Sequence, residues 1–353
     1  MRWLAVWNGL LHRGKRWIAL GLVGLSVSLA IAACAPAGAA NRVEMTLVSF
    51  AVTRAAYEEI IPQFEAMWKR EHGQEVSFSR SYGASGSQTR AVMDGLEADI
   101  VALALALDTQ KLEKQGLIEP GWEQDAPNGA IAYRSVPVLV TREGNPKGIQ
   151  EWQDLGRGDV QIVTANPKTS GGARWNFLGL WGAITQTGGD DVAALDFATK
   201  VFRQAPVLPR DSREATDAFF KQEQGDVLIN YENEVILAEQ MKGQSFPYVV
   251  PDVNISIDCP VTIVDAYVDK HGTREVAEAF VQFLFTPEAQ RAFAEVGFRP
   301  VDPAIATEFA EQYPKVSTLF SVEDLGGWDA VQEKFFSDGG VFDQIQSSLG
   351  QEK

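Results

Sequence analysis

The sequence predicts an α/β protein built from two lobes. Strand-like and helix-like runs alternate along the chain, an order that indicates a mostly parallel sheet covered by helices. A second series of such runs starts after the loop around Pro127. Of the 353 residues, about 320 remain after an N-terminal leader, which is more than one hydrophobic core usually serves. Two α/β lobes are therefore expected.

The predicted elements fall into three groups. The first has strands at 45–50, 75–79 and 99–105 and helices at 54–71, 88–96 and 109–115. The second has strands at 136–141, 160–164 and 227–230 and helices at 174–184, 192–202 and 214–222. The third has a strand at 261–268 and helices at 274–285 and 287–296, the last opened by Thr286-Pro287, an N-cap followed by a first-turn proline.

These groups set the predicted domain boundaries. We expect the third group to return to the first lobe, through crossovers near residues 124–136 and 250–262. Lobe 1 is then 41–125 plus 260–312, and lobe 2 is 126–259. Residues 313–353 are expected to form a C-terminal helical tail that carries no motif.

The first residues of the chain have the pattern of a signal peptide. Four cations, at positions 2, 13, 15 and 16, precede an uncharged apolar run at 17–33 that is too short to span a bilayer comfortably. Ile31-Ala32-Ala33-Cys34 has the form of a lipoprotein signal, which would end the leader at residue 33 and place lipid on Cys34. Ala37-Gly38-Ala39 also suits ordinary cleavage, with a leader of 1–40. Either reading predicts a periplasmic protein, and the first anchors it to the cytoplasmic membrane.

Charge and cysteine content exclude two classes of protein. Loss of the four cations in the leader takes the net charge from −16 to −20, so we expect no nucleic-acid partner. The second cysteine, Cys259, has no intramolecular partner once Cys34 is lipidated or removed, which excludes a disulfide framework. Its apolar, strand-like context predicts a buried core residue.

Three polar turns are candidate anion sites because each opens a predicted helix. They are the segments 81–87 (Ser-Tyr-Gly-Ala-Ser-Gly-Ser), 166–172 (Asn-Pro-Lys-Thr-Ser-Gly-Gly) and 211–214 (Asp-Ser-Arg-Glu). A helix N-terminus presents unpaired N–H groups and the positive end of the helix dipole. Glycine allows close approach to the backbone, and Ser170 or Ser85 can add a hydroxyl donor. Ordinary N-capping explains each turn singly and remains an alternative.

One long motif resembles a known family. The segment 166–176, Asn-Pro-Lys-Thr-Ser-Gly-Gly-Ala-Arg-Trp-Asn, is similar to the signature of the sulfate and thiosulfate periplasmic binding proteins. The similarity extends through residues 96–101, 144–147, 152–155, 225–229, 232–234, 272–279 and 298–300. It covers the mature chain to about residue 302.

The resemblance implies a type II periplasmic-binding-protein fold, in which two hinged α/β lobes close on the ligand. It implies that the protein captures sulfate for an ABC transporter with membrane permease and ATPase subunits, as a monomer without cofactor or metal. The implied ligands of the dehydrated dianion are the backbone N–H groups of five residues, one serine hydroxyl and one further donor. The five are Ala51, Ser85, Gly171, Gly172 and Ser212; the hydroxyl is that of Ser170; and Tyr231 takes the position of the family's indole.

Two of these residues depart from the family pattern. Ala51 stands where an aspartate is common, but only its N–H is implied. Tyr231 replaces tryptophan, and because a phenol both donates and accepts, discrimination against protonated anions is expected to be softer. The pair Gly171-Gly172 favours sulfate over thiosulfate, while thiosulfate and molybdate remain alternative ligands. The resemblance places Arg54, Arg174 and Arg213 behind the donors; a direct guanidinium clamp on the anion is the alternative.

Other functional classes have weaker support. An enzyme on the same fold is the more remote alternative, because residues 83–87 lack the nucleophile-elbow spacing and no phosphate-loop signature occurs. His72 and His271 each precede glycine and are predicted to be solvated turn residues. A lipid-anchored scaffold would explain Cys34 but not the three polar turns. The sequence therefore predicts a binding protein, not an enzyme.

Overall fold

The computed structural model of the protein describes residues 42–242 and 246–351. The predicted leader, its cleavage motifs and the lipid-attachment candidate Cys34 lie outside these residues. No helix within the described ranges is long and apolar enough to cross a membrane.

The first part of the chain forms three strand–helix units. In chain order they are β1 (Arg42–Phe50), a 3₁₀ turn (Ala51–Thr53), α1 (Arg54–His72), β2 (Glu75–Gly83), α2 (Ser85–Met93), β3 (Ile100–Ala102) and α3 (Ala106–Lys114). Strand β1 pairs in parallel with β2 and β3. Helix α1 ends at Gly73, whose φ of 66° is a left-handed cap that glycine adopts without strain.

The middle of the chain builds a second, four-stranded sheet. Its elements are β4 (Ile131–Ser135), β5 (Pro137–Thr141), β6 (Ile162–Val163), α4 (Gly171–Thr185), α5 (Asp191–Arg203), α6 (Ser212–Phe220), β7 (Val227–Tyr231), α7 (Glu232–Lys242) and β8 (Tyr248–Val249). All of these strands except β4 belong to this sheet, in the order β6-β7-β5-β8. Strand β5 runs antiparallel to both β7 and β8, whereas β6 and β7 are parallel.

The rest of the chain returns to the first sheet and then forms the tail. It contains β9 (Val253–Ile255), β10 (Ile257–Ile263), α8 (Asp265–His271), α9 (Arg274–Phe283), α10 (Pro287–Glu295), β11 (Arg299–Pro300), α11 (Pro303–Glu308), β12 (Thr318–Phe320), α12 (Gly327–Val331), a π-helical turn (Gln332–Phe336) and α13 (Val341–Gln351). The first sheet has six strands in the order β11-β4-β10-β3-β1-β2.

The six-stranded sheet corrects two predictions. It is mixed, because β10 is antiparallel to both β3 and β4 where the chain re-enters the sheet, so the expectation of a mostly parallel sheet is wrong. The strand predicted at 261–268 ends at Ile263, and the residues after Val264 form helix α8, which stops at the left-handed Gly272. The apolar run that begins at Val261 concealed the change from strand periodicity to helix periodicity.

The chain crosses between the sheets at two places. Strand β4 ends at Ser135 and β5 begins at Pro137; the return lies between β8 and β10. Strand β4 and the start of β10 pair in the six-stranded sheet, although they fall in the range 126–259 predicted for lobe 2. Sequence analysis missed β4 because it is five residues long and is interrupted by the exposed Arg134. The lobe boundaries themselves remain a prediction.

The C-terminal tail packs on helix α4 of the second sheet. Phe177 of α4 lies 5.6 Å from the rings of both Phe335 and Phe336 and 6.0 Å from that of Phe342, measured between ring centroids. Strand β12 of the tail, which the sequence did not predict, pairs in parallel with β9. The tail therefore shares a hydrophobic core with the helix that opens at Gly171.

Candidate functional site

Four helical N-termini begin at the wall of one small cavity. They are those of the 3₁₀ turn before α1, and of α2, α4 and α6. The lining residues are Phe50, Ala51, Val52, Gly83, Ala84, Ser85, Ala104, Ser170, Gly171, Gly172, Asp211 and Ser212. The cavity is small: about 10 Å³ is open to the centre of a water-sized sphere, within about 200 Å³ of empty space that includes open solvent. Its size suits a small ion.

The cavity brings together six of the seven residues predicted to bind the ligand. Ala51 opens the 3₁₀ turn, while Ser85, Gly171 and Ser212 are the first residues of α2, α4 and α6. The first N–H groups of a helix have no acceptor inside it, and here several of them meet at one point. The 3₁₀ turn and the first turns of α2 and α4 carry no acidic residue, so the positive ends of their dipoles are not neutralised locally; α6 differs, because Asp211 caps it and Glu214 lies in its first turn.

The turn before α4 is held by its own polar groups. Asn166 accepts the N–H of Lys168 at its Oδ1, 2.9 Å away, and its N–H donates to the carbonyl of Pro209 before α6. Ser170 caps α4, because its Oγ accepts the N–H of Ala173 at 3.2 Å. Capping uses a lone pair of this hydroxyl and leaves its proton available. Capping and anion binding are therefore compatible roles for Ser170.

The two glycines that open α4 are required by close packing. A Cβ on Gly171 would lie 2.6 Å from the Cβ of Ala104 and 3.2 Å from that of Ser85. A Cβ on Gly172 would lie 2.2 Å from Ser212 Oγ and 2.4 Å from Tyr231 Cε2. At each glycine the shortest of these distances is shorter than any contact that a real Cβ atom makes. Only glycine lets the start of α4 approach the opposite wall this closely.

The hydroxyl of Ser85 does not have the role that sequence analysis allowed for it. Its Oγ donates to Asp108 Oδ2 at 2.7 Å and accepts the N–H of Ala104 at 3.1 Å. The expectation that Ser85 can add a hydroxyl donor is therefore wrong for this structure, and its backbone N–H is the group left at the cavity. Asp108, which lies in the first turn of α3, was not singled out from the sequence.

Tyr231 lies behind Gly172 and does not line the cavity. Its side chain is fully buried, its ring centroid is 6.0 Å from that of the lining residue Phe50, and its hydroxyl has no hydrogen-bond partner among the described residues. Burial raises the pKa of this phenol well above its usual range, so the hydroxyl keeps its proton. Tyr231 therefore offers an unused donor next to the start of α4.

A buried polar network fixes the start of α6 against β7. Asn230 Nδ2 donates to the carbonyl of Ser212 at 2.9 Å and to Thr216 Oγ1 at 2.8 Å. Thr216 donates in turn to Glu234, which is paired with Arg213 at 2.7 Å. Burial raises the pKa of Glu234, and the adjacent Arg213 opposes that shift. These contacts fix the first residues of α6, and the carboxylate at the cavity wall, that of Asp211, caps this helix by accepting the N–H of Glu214 at 2.9 Å.

None of the three predicted arginines lines the cavity. Arg174 Nε donates to the carbonyl of Pro167 at 3.0 Å and its Nη1 donates to Gln332 of the tail at 3.1 Å. Burial lowers the pKa of Arg174, an effect that Asp108 opposes. Arg54 lies over the ring of Tyr82, 4.8 Å from its centroid, and Arg213 pairs with Glu234. All three guanidinium groups have contacts outside the cavity.

The histidines and the cysteine considered in the sequence analysis lie away from the cavity. His271 is not the solvated turn residue predicted, because its Nδ1 and Nε2 lie 2.9 Å from Asp99 and 2.9 Å from Glu97. His72 stacks on Trp68 at 3.7 Å between ring centroids. The prediction that Cys259 is buried is confirmed, and burial raises the pKa of its thiol well above the usual range. Residues 42–242 and 246–351 contain no cluster of three or more His, Cys, Asp or Glu arranged to hold a metal ion.

Comparison with known proteins agrees with this geometry. Residues 45–299 match the family described as bacterial extracellular solute-binding protein. The sulfate-binding protein of Synechococcus elongatus is 59% identical over 91% of this chain and 93% of its own length. The thiosulfate-binding protein of Pseudomonas aeruginosa is 40% identical over 91% of this chain and 98% of its own.

A solved structure shows the same fold. The sulfate-binding protein SubI from Mycobacterium tuberculosis superposes with a TM-score of 0.76 at 38% identity, over 84% of this chain and 100% of that one. The predicted two-lobe periplasmic-binding-protein fold is confirmed by this match. With the helix N-termini gathered at one cavity, these similarities lead to one conclusion. The chain belongs to the bacterial extracellular solute-binding protein family, among the sulfate- and thiosulfate-binding proteins.

Proposed function

We propose that this protein is an exported receptor that captures sulfate in the periplasm and delivers it to the permease and ATPase subunits of an ABC transporter. One observation carries the proposal: four helical N-termini, without an arginine or lysine between them, line one small cavity. Such a cavity favours a small anion with several acceptor oxygens. Relatives named as sulfate-binding proteins support the choice of ion.

In the proposed complex the dianion accepts hydrogen bonds only. The N–H groups of Ala51, Ser85, Gly171, Gly172 and Ser212 surround it, and the Ser170 hydroxyl donates its free proton. Tyr231 donates its unpartnered hydroxyl from behind Gly172. Arg174 and Arg213 act on the ligand through the peptide groups and helices that they hold. Neutral donors preorganised in a small, dry site replace the hydration shell of sulfate without a buried counter-charge.

A donor-rich cavity disfavours phosphate. Near neutral pH phosphate carries a proton that needs an acceptor, and sulfate does not. Two buried carboxylates lie close by, and both already accept hydrogen bonds: Asp211, which lines the cavity, accepts the N–H of Glu214 at 2.9 Å, and Asp108 accepts from Ser85 and from Lys111 Nζ at 2.8 Å. Leaving the phosphate hydroxyl unpaired costs on the order of 1–3 kcal/mol, or roughly tenfold to hundredfold in affinity. The hydroxyls of Tyr231 and Ser212 can partly relieve that cost, so we expect discrimination at the lower end.

Thiosulfate is the second candidate ligand. The Pseudomonas aeruginosa relative, at 40% identity, is named a thiosulfate-binding protein. The small size of the cavity leaves little room for the larger sulfur atom, which favours sulfate. We further propose attachment to the cytoplasmic membrane through Cys34.

We also propose two lobes, at 41–125 plus 260–312 and at 126–259, except that β4 and the start of β10 join the first lobe because they pair in the six-stranded sheet.

The test is isothermal titration of the mature protein with sulfate, with thiosulfate, molybdate and phosphate as competitors. Ser170→Ala removes the hydroxyl donor and an N-cap together, so the matched control is Thr286→Ala, which removes the N-cap of α10 away from the cavity. We expect one-to-one sulfate binding that Ser170→Ala weakens by more than tenfold and Thr286→Ala leaves unchanged. Absence of binding by all four anions would refute the oxyanion function, and preference for thiosulfate would select the second candidate.

A further inference from the structure

We propose that Trp175, positioned by Trp328 of the C-terminal tail, is a closing residue: its indole N–H locks the second lobe onto the first when the anion is bound. This inference rests on the proposed anion-binding function and adds two residues to which no role has been assigned. It also gives the tail a part in ligand retention.

The observation is a buried hydrogen bond that joins the two sides of the cavity. Trp175 Nε1, on α4, donates to the carbonyl oxygen of Ala104 at 2.8 Å. Ala104 follows β3 of the six-stranded sheet, whereas α4 packs on strands of the four-stranded sheet. Trp175 is 1% exposed and Ala104 is fully buried. The bond is therefore shielded from water, and it connects a helix that packs on one sheet to the segment that follows a strand of the other sheet.

The carbonyl that Trp175 holds is part of the cavity wall. Ala104 lines the cavity, and its N–H is held by Ser85 Oγ at 3.1 Å. Ala104 is thus hydrogen-bonded at its N–H by Ser85, from its own side of the cavity, and at its carbonyl by Trp175, from the other side. Two of the proposed anion donors are neighbours of Ala104. Ser85 accepts its N–H, and a Cβ on Gly171 would lie 2.6 Å from its Cβ. Closing the cavity and forming the indole bond are the same movement.

The tail holds the indole from the opposite side. The ring of Trp328 meets that of Trp175 edge to face, with centroids 4.8 Å apart and an interplanar angle of 77°. Asp329, the next residue, reaches across to Lys114 of α3 at 3.0 Å. Gln332, one turn later, accepts from Arg174, the neighbour of Trp175. Helix α12 and the turn after it therefore contact both sides of the closed cavity.

A bond of this kind acts on dissociation more than on association. Opening would separate a buried donor from a buried acceptor, and each must then find water before the anion leaves. Association begins from the open form, where the bond is not yet made. Loss of the indole N–H should therefore raise the dissociation rate constant and leave the association rate constant nearly unchanged.

The experiment compares Trp175→Phe with Trp181→Phe in the full mature protein. Both residues lie on α4 and both lose an indole donor, but Trp181 Nε1 donates to Asp191 at 3.3 Å, away from the cavity. Titration calorimetry and stopped-flow measurements with sulfate give the affinity and both rate constants. We expect Trp175→Phe to weaken binding about five- to tenfold, through faster dissociation, and Trp181→Phe to change neither constant.

A second readout follows the Trp175 indole itself, and its wild-type measurement does not depend on how a variant folds. Hydrogen exchange at the assigned Trp175 indole N–H is followed by NMR with and without sulfate, and Trp328→Ala is measured in the same way. We expect sulfate to slow exchange at Trp175, and Trp328→Ala to reduce that protection. If sulfate binds but Trp175 exchange is unaffected, or both phenylalanine variants dissociate alike, Trp175 is a core residue only. If wild-type protein binds no sulfate, the proposed function fails instead.

Discussion

The ring of Tyr231 lies directly against Gly172, so that a Cβ on this glycine would be 2.4 Å from Tyr231 Cε2. The contact places a buried, unpartnered hydroxyl beside the first turn of α4. It also explains why the opening of α4 has no space for a side chain. The glycine pair and the tyrosine thus form one unit of the proposed site.

Replacing Gly171 with valine should abolish sulfate binding. Any Cβ at this position lies 2.6 Å from Ala104, and the branched side chain would keep the two walls of the cavity apart. Titration calorimetry with sulfate checks this. Gly158→Ala is the control, because a Cβ there meets nothing within 4 Å and its backbone is unstrained. Sulfate affinity within threefold of wild type in Gly171→Val would contradict the role of the glycine.

Removing the hydroxyl of Tyr231 should weaken sulfate binding by roughly tenfold to hundredfold, the usual cost of a hydrogen bond to a charged group. The variant is Tyr231→Phe, which keeps the ring against Gly172. Tyr57→Phe is the control, because Tyr57 is equally buried but its hydroxyl faces Tyr133 and its ring packs on Phe293, at 6.0 Å between ring centroids. Equal affinities of the two variants would show that Tyr231 does not contact the ligand.

Stability should depend on pH through His271. A hydrogen bond to Glu97, which has the larger effect, and one to Asp99 raise the pKa of this histidine above its usual value. A raised folded-state pKa means that the charged form stabilises the protein fully below the unfolded pKa of about 6.5, and that the gain is lost as pH rises through the folded value. His271→Gln should therefore lower Tm more at pH 6 than at pH 9. A difference in Tm that is the same at both pH values would disprove this.

The tail should unfold together with the second sheet. Phe342 is fully buried and lies 5.2 Å from Phe202 between ring centroids. Phe342→Ala should lower the free energy of unfolding by about 3–5 kcal/mol, the usual cost of truncating a buried aromatic residue. Urea denaturation followed by circular dichroism measures this, with the half-exposed Leu319→Ala as control. A separate early transition in the variant would mean that the tail is not part of the core.

Much of the fold was predictable because its signals are local. Periodicity located β1, α1, α4, α5 and β7 to within a few residues. Errors arose where local signals were weak or misleading. Strand β4 is short and contains Arg134, and α8 follows β10 without a break in the apolar run. Strand β12 consists of two exposed residues and Phe320, and it exists because β9 is there to pair with it.

In the candidate site, too, only the features with local sequence signals could be predicted. Serine, aspartate and glycine before a helical pattern mark an N-terminus, so the turns at Ser85, Ser170 and Ser212 could be found without a structure. What those side chains do could not. The Ser85 hydroxyl is taken up by Asp108, 23 positions further along the chain. His271 pairs with Asp99, 172 positions away, although its neighbouring glycine indicated a solvated turn.

The sequence by itself determined the α/β class, the acidic charge, the helix N-termini and the glycine pair, because these depend on composition or on residues near each other in the chain. Only the tertiary structure decided that four N-termini share one cavity, that Tyr231 lies behind Gly172, and that Trp175 reaches Ala104. Those contacts join residues on different elements, so they depend on strand pairing and on how the two sheets approach. Local sequence preferences do not specify how the two sheets are arranged. The same residues at a helix N-terminus can cap the helix, bind a ligand or pack against another element, depending on what the fold places in front of them.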